Sequence, residues 1–306
     1  MASITQTQWH FRKRFKKNLG RNLFILCGIV PILIWAVLFA FYPIVIAMSR
    51  GFTNWSLATH RIDFIGLENF IRMSNDRIFI IALRNTVTAV MVTVPLTVSL
   101  ALLTALALNT LTDRTRQFFT MIYFLPSVVS MVAISAVWIW LYHPSFGLIN
   151  YFLGMLGISP QPFLRDPGQA LPSVLAMMVW QGIGFSAVIL LAALKGLPVT
   201  YYEAATIDGA NSIQKFLFIT IPLLLPNILF VSIMSVIGTF QVFVPISVMT
   251  GGGPGDASMV LAMLIYRVAI RNLDMGYGTA IAMVLFAIIM VVTVIQWKLV
   301  RSDWEY

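Results

Sequence analysis

Apolar residues in this chain are gathered into long unbroken runs separated by shorter polar stretches. Runs long enough to cross about 30 Å of hydrocarbon, which takes roughly 20 helical residues, fall near 22–48, 80–108, 118–142, 171–195, 222–249 and 279–300. The pattern predicts an all-α membrane protein with six transmembrane helices. The first run is too long for the apolar region of a signal peptide, and no small-residue cleavage site follows before Tyr42-Pro43, so it is expected to stay attached as a span. The segments between runs are unequal. Residues 109–117 are a short connection, whereas 49–79, 143–170 and 250–278 are long and rich in Gly, Pro and aromatics, as expected of loops folded over an outer mouth.

Composition agrees with that pattern. A mean hydropathy of +0.88 with 10% charged residues exceeds what a soluble domain needs to fill a core, because such a domain must also cover its surface. The net charge is +9, and Arg12, Lys13, Arg14, Lys16, Lys17 and Arg21 all precede the first run. A basic segment abutting a span is a topology determinant far more often than a nucleic-acid patch. Residues 1–21 are therefore read as a cytoplasmic segment, 22–300 as the transmembrane domain and 301–306 as a cytoplasmic tail. The single Cys27 lies in an apolar run and reads as a small hydrophobe.

Several chemistries are missing. No span holds an ionisable residue near its middle; Arg84 is close to the outer end of the second, and Lys195 closes the fourth. Ion-coupled carriers usually need carboxylates, histidines or polar broken helices there. His10, His60 and His143 lie outside the spans without metal-spaced partners, and Ser186 in GFSAV lacks the second glycine of a nucleophile elbow. There is no G-x-x-x-x-G-K-[ST] phosphate loop. The expectation is a chain that is not an enzyme and holds neither metal nor cofactor; if ATP and Mg are used, another subunit binds them.

The stretch YYEAATIDGA, 201–210, carries two of only eleven acids in the chain. Thr200 and Glu203 have capping-box spacing, which predicts a short helix beginning at Tyr201. Ala204 and Ala205 give that helix a small-residue face, and Gly209 fits the left-handed position that ends it. Asn211 and Gln214 repeat the capping spacing, so a second short helix is expected to lead toward Pro222. The whole connection, 196–221, reads as a compact bracket between two spans.

Glu203-Ala204-Ala205, Asp208-Gly209-Ala210, Ile219 and Ile221-Pro222 resemble the EAA loop of ABC importer permeases, with Ile221 where leucine is common. FIGLENF at 64–70, FGLINYFL at 146–153 and TGGGPGDAS at 250–258 resemble the binding-protein-dependent sugar permease subfamily, that of maltose- and glycerol-phosphate-type systems. The resemblance implies a permease subunit of a bacterial or archaeal plasma membrane. It further implies pairing with a second permease, two ATP-binding cassette subunits below and an extracytoplasmic substrate-binding protein above. Glu203, Ala204, Ala205, Asp208 and Gly209 would then form the coupling helix seated in the ATPase. The glycine loop most simply makes a turn after the fifth span, and the resemblance adds that it would face the binding protein.

Two further readings complete the expectation. Trp138, Trp140 and Tyr142 read as an aromatic belt at the membrane interface. Thr239, Phe240 and Gln241 on the fifth span are the candidate solute contacts, Gln241 as a polar residue in an apolar stretch and Phe240 as a ring on which a sugar stacks. The alternatives are an ABC permease for another solute class and a stand-alone secondary carrier. The three sugar-type stretches disfavour the first; the EAA pattern and the charge-free spans disfavour the second.

Overall fold

The computed structural model describes residues 25–59 and 62–299. The basic segment 1–21 and the tail 301–306 lie outside the described residues. The chain runs from α1 (Ile25–Arg50) into the short α2 (Glu68–Asn75) and the long α3 (Arg77–Asn109). A tight turn leads to α4 (Asp113–Val128) and α5 (Met131–Leu141), followed by the short α6 (Leu148–Met155) and by α7 (Ala170–Lys195). Then come the small α8 (Val199–Ile207), α9 (Ser212–Phe240), the short α10 (Val244–Met249) and α11 (Leu261–Tyr266), and α12 (Met275–Leu299). Extended pairing among the described residues is limited to two isolated bridges, Thr53 with Phe64 and Ser56 with Asp274.

Five helices, α1, α3, α7, α9 and α12, are long and apolar enough to cross a membrane, and the α4–α5 pair makes a sixth if it counts as one span. That pair corrects the expected straight run 118–142, because α4 and α5 are bent by 97° at Val129–Ser130. Both residues take extended backbone angles, and Pro126 in the last turn of α4 has already removed a helical donor. The expected run 222–249 also divides. α9 starts a full turn or more earlier, at Ser212, and stops at Phe240; the chain then turns through Gln241–Phe243 into α10. Pro245 cannot donate to the carbonyl four residues back, which weakens a helix through 241–245; Pro95 and Pro226 stay inside α3 and α9, whereas Pro245 stands in the first turn of the new helix α10.

α3 and α7 pair along most of their lengths, α9 crosses α3, and α12 covers α9 and α11. The buried stripe of α3 is small: Ala82, Ala89, Thr93, Thr97, Ala101 and Ala105. In lipid there is little hydrophobic gain from joining two apolar helices, and small residues that let backbones approach supply the dispersion contacts instead. α4 comes closest to α7 at Gly184, where a β-carbon would overlap the carbonyl of Tyr123. α1 stands apart from this body: its most apolar window is 0% buried, and its main packing partner among the described helices is α12.

Buried side chains form two apolar clusters. One, at the end of the molecule that carries α2, α6 and α10, includes Val94, Val174, Met177, Val236, Phe240 and Ile246. The other, at the α8 end, includes Ala101, Leu108, Ala187, Leu190, Leu224 and Val231. On α3, α7 and α9 alike the two clusters are separated by a few residues, and these include the polar Thr97 and Ser99, Gln181 and Ser186, and Ser232 and Ser235.

Candidate functional site

The bracket at the α8 end is built by local signals. Gly196 caps α7, and Pro198 stands as the residue just before α8, with φ −63° and ψ 125°. The helix therefore begins at Val199, two residues before the expected Tyr201, and Thr200 is already helical. This corrects the Thr200–Glu203 capping box: a cap hydroxyl must belong to the last non-helical residue, and Pro198 occupies that place. No side-chain cap forms at this end, and Glu203 is exposed. The other end is as expected. Gly209 has φ +79°, Ala210 N–H donates to Ala205 O at 2.8 Å and Gly209 N–H to Thr206 O at 3.1 Å, the paired bonds of a Schellman ending.

The second box forms in full. Gln214 N–H donates to Asn211 Oδ1 at 2.9 Å, and Asn211 N–H donates to Gln214 Oε1 at 2.8 Å. Lys215 Nζ reaches Thr206 Oγ1 at 2.8 Å, and Tyr202 OH lies 3.0 Å from Thr220 Oγ1. These ties join α8 to the first turns of α9, so the bracket and that helix move as one piece. Its exposed surface includes two large apolar side chains: Ile207 is 87% exposed and Phe218 75%. Ala204 and Asp208 are exposed beside Glu203, whereas Ala205 is half-buried.

Between the two apolar clusters lies a cavity of about 260 Å³, lined by Thr97 of α3, Ser127 of α4, Gln181, Gly182, Phe185 and Ser186 of α7, and Val231, Met234 and Ser235 of α9. Ser127 is held in an unusual way. Its hydroxyl donates to Gln181 O at 3.1 Å and accepts from Phe185 N–H at 3.1 Å, so it is inserted between the two groups that a regular helix pairs with each other. The side chains of Thr97, Gln181, Ser186 and Ser235 have no hydrogen-bond partner among the described residues and border the cavity.

The three residues expected to touch solute separate. Thr239 is buried, its Oγ1 3.2 Å from Thr93 Oγ1, and bridges α9 to α3. Phe240 is 3% exposed inside the apolar cluster. Gln241, the residue that closes α9, is exposed. The exposed aromatic ring beside the cavity is Phe185 instead.

The aromatic belt also divides. Residues two apart face opposite sides of a helix, so Trp140 points outward while Trp138 and Tyr142 pack inward, their rings 5.2 Å apart. Tyr142 OH donates to Ser173 O at 3.0 Å. The three loop stretches each carry one buried polar residue that ties its loop. Asn69 donates to Gly51 O and Thr53 O; Asn150 accepts from Gln161 N–H and donates to Gln161 O; Ser258 Oγ donates to Gly253 O at 2.6 Å and lies 2.8 Å from Thr250 Oγ1. In all three the buried polar residue serves the loop's own architecture. No group of three or more potential metal ligands occurs among the described residues.

A charge-free polar cavity among several spans, with a rigid bracket on two of the helices that line it, is the arrangement of a transport component. Residues 110–302 match the family described as binding-protein-dependent transport system inner membrane component. The chain belongs to that family. It is a multi-pass membrane permease of the ABC importer class, in a family of transport components and not of enzymes. It is 32% identical over 286 residues to the sulfoquinovosyl glycerol transport system permease protein SmoG of Agrobacterium fabrum, covering 93% of this chain and 92% of that protein. It is 31% identical over 274 residues to the multiple sugar-binding transport system permease protein MsmF of Streptococcus mutans, covering 90% and 93%. Its fold is that of a chain in the crystal structure of a bacterial alginate ABC transporter in complex with an alginate pentasaccharide-bound periplasmic protein. The TM-score is 0.82 at 23% identity, over 94% of this permease and 97% of that chain.

Proposed function

We propose that this permease forms one half of the path by which a sugar or related solute enters the cell, and that the α8 bracket admits ATPase motion to that path. The observation that carries the reading is continuity. The bracket joins α7 through the three residues 196–198 and α9 through the tight turn 208–211, and those two helices supply Gln181, Gly182, Phe185, Ser186, Val231, Met234 and Ser235 to the cavity. A push on Glu203, Ala204, Ala205, Asp208 and Gly209 is thus a push on the cavity walls. Two ATP-binding cassette subunits sit against the exposed Ile207 and Phe218, and ATP and Mg belong to them. A binding protein delivers solute from the opposite end, where the Gly251–Gly255 loop lies. The second permease closes the cavity and takes up the unburied α1. The solute passes from Gln241 at the end of α9, with Thr239 and Phe240 as the wall behind it, to the polar band at Gln181. In this reading residues 1–21 are cytoplasmic.

The test is ATP hydrolysis in vesicles containing the complete transporter. Glu203→Lys places a cation on the docking face, and Gly209→Val puts a β-branched residue at positive φ, which costs about 1–2 kcal/mol. Both variants should insert, because insertion depends on span hydrophobicity and flanking charge. Both should lose binding-protein-stimulated hydrolysis or release the ATPase. Normal stimulated hydrolysis in both variants overturns the coupling role.

A further inference from the structure

We infer that the solute of this permease is electrically neutral: a polyhydroxyl sugar or polyol without carboxylate, phosphate or sulfonate. The inference rests on the proposed pathway and adds the charge class of what travels through it. Family membership leaves that class open, since one solved relative imports alginate, an acidic polysaccharide.

Three observations decide it. First, no ionisable side chain lines the cavity. On α3 the described charges are Arg77 and Arg84, both in its first turns, and on α7 there is only Lys195, at its end. α9 has Lys215 in its first turn and no other charge along its length. An anion held midway would find no counter-charge on the walls that this subunit supplies and would lose hydration there without compensation. Second, no helix terminus supplies a substitute. The N-terminal end of α5, created by the 97° bend, is the nearest candidate in sequence, but residues 129–133 do not border the cavity. The groups that do border it belong to helix interiors, apart from Ser127, which lies one residue before the end of α4.

Third, the open groups suit hydroxyls. Gln181 offers two donors and an acceptor, while Thr97, Ser186 and Ser235 each donate and accept. Sugar hydroxyls likewise both donate and accept, so each can be paired without transferring charge. Phe185 lies beside this row with its ring 48% exposed, a surface for the apolar face of a pyranose. At about 260 Å³ the cavity is smaller than the range of roughly 300–1,000 Å³ that encloses drug-sized ligands. This subunit therefore holds a single ring at a time, the remainder lying against the partner permease.

Thiol labelling tests charge without knowing the solute. In the complete transporter, with Cys27→Ser to remove the native thiol, Ser235→Cys places a thiol in the cavity. Ser159→Cys places one at an exposed position of the charge-free segment 144–164 as a reference. Each variant is treated with glucosyl methanethiosulfonate, which is neutral, and with the smaller, anionic sulfonatoethyl methanethiosulfonate. Relative to position 159, position 235 should react about tenfold or more faster with the neutral reagent, as expected for a site that excludes uncompensated charge. Equal relative rates, or a faster anion, overturn the neutral-solute inference even if the pathway is correct. The pathway itself is read from the glucosyl rate at position 235 with and without ATP plus vanadate. A cavity on the transport path changes its access several-fold between the two states. An unchanged rate sinks the pathway and leaves the charge result standing, and no reaction at position 235 with either reagent overturns both.

Discussion

Gly184 and Gly238 are both helical glycines, yet their surroundings assign them opposite costs. A β-carbon at Gly184 would overlap the Tyr123 carbonyl, so α4 and α7 would have to separate. At Gly238 a β-carbon meets nothing within 4 Å. Gly184→Ala should therefore destabilise by about 1–3 kcal/mol, the usual range for overpacking. Gly238→Ala should be neutral or stabilise by up to about 1 kcal/mol, the propensity difference in a helix. Apparent unfolding temperatures of the purified protein, compared at one heating rate because membrane proteins commonly unfold irreversibly, would check both. A Gly184→Ala protein as stable as the parent means that the helices part at no cost there. The same residue-scale accounting applies to Asn69, Asn150 and Ser258, whose burial would be unfavourable if their polar atoms lacked the loop partners they have.

At the scale of elements, α7 and α9 divide their labour along their lengths. Their two ends pack in apolar clusters, while Gln181 and Ser235 face the cavity between them. In the proposed path, solute contact is concentrated near the middle of α7 and weaker at Gln241, where α9 stops. Gln181→Leu removes an amide that no other side chain replaces; Gln241→Leu removes one that stands at the exposed end of the helix. Both variants should assemble with the ATPase. In uptake assays with the solute retained by the binding protein, Gln181→Leu should raise the apparent KM by about tenfold, the order of one or two lost hydrogen bonds. Gln241→Leu should raise it by less. The reverse order would place the principal contacts at the α9–α10 turn.

The whole molecule has one end made of loops and the other of the bracket. Arg114, in the exposed first turn of α4, and Ser159, in the loop after α6, lie at opposite ends and are both exposed. If the bracket is cytoplasmic, a membrane-impermeant thiol reagent should label Ser159→Cys and not Arg114→Cys in intact cells, each in a Cys27→Ser background. Labelling of Arg114→Cys alone would invert the topology and remove the bracket from the ATPase. The ion pairs belong mostly to the loop end. Arg72 reaches Asp274 at 2.7 Å and Arg267 reaches Asp256 at 2.7 Å, both partly exposed, so their contribution is about 1 kcal/mol or less each. The Arg72 guanidinium also lies 4.1 Å from the Tyr277 ring centre, which fastens α2 to the first turn of α12.

The amino-acid sequence by itself determined the features that depend on composition or on neighbours within about four residues. These are the long apolar helices, the charge-free middle of the spans, the Asn211–Gln214 box and the left-handed Gly209. The start of α8 was also local, but Pro198 outweighed the Thr200 spacing. Only the tertiary structure decided which side chains meet. Hydropathy cannot distinguish a straight run from the α4–α5 bend, since both are equally apolar, and it cannot tell the buried Phe240 from the exposed Phe185. Thr97, Ser127, Gln181 and Ser235 are single polar residues in four separate apolar stretches, each unremarked in its own window. They become one cavity because α3, α4, α7 and α9 bring positions up to 138 residues apart to a common depth, and the α3–α7 and α4–α7 approaches depend on small residues along those helices.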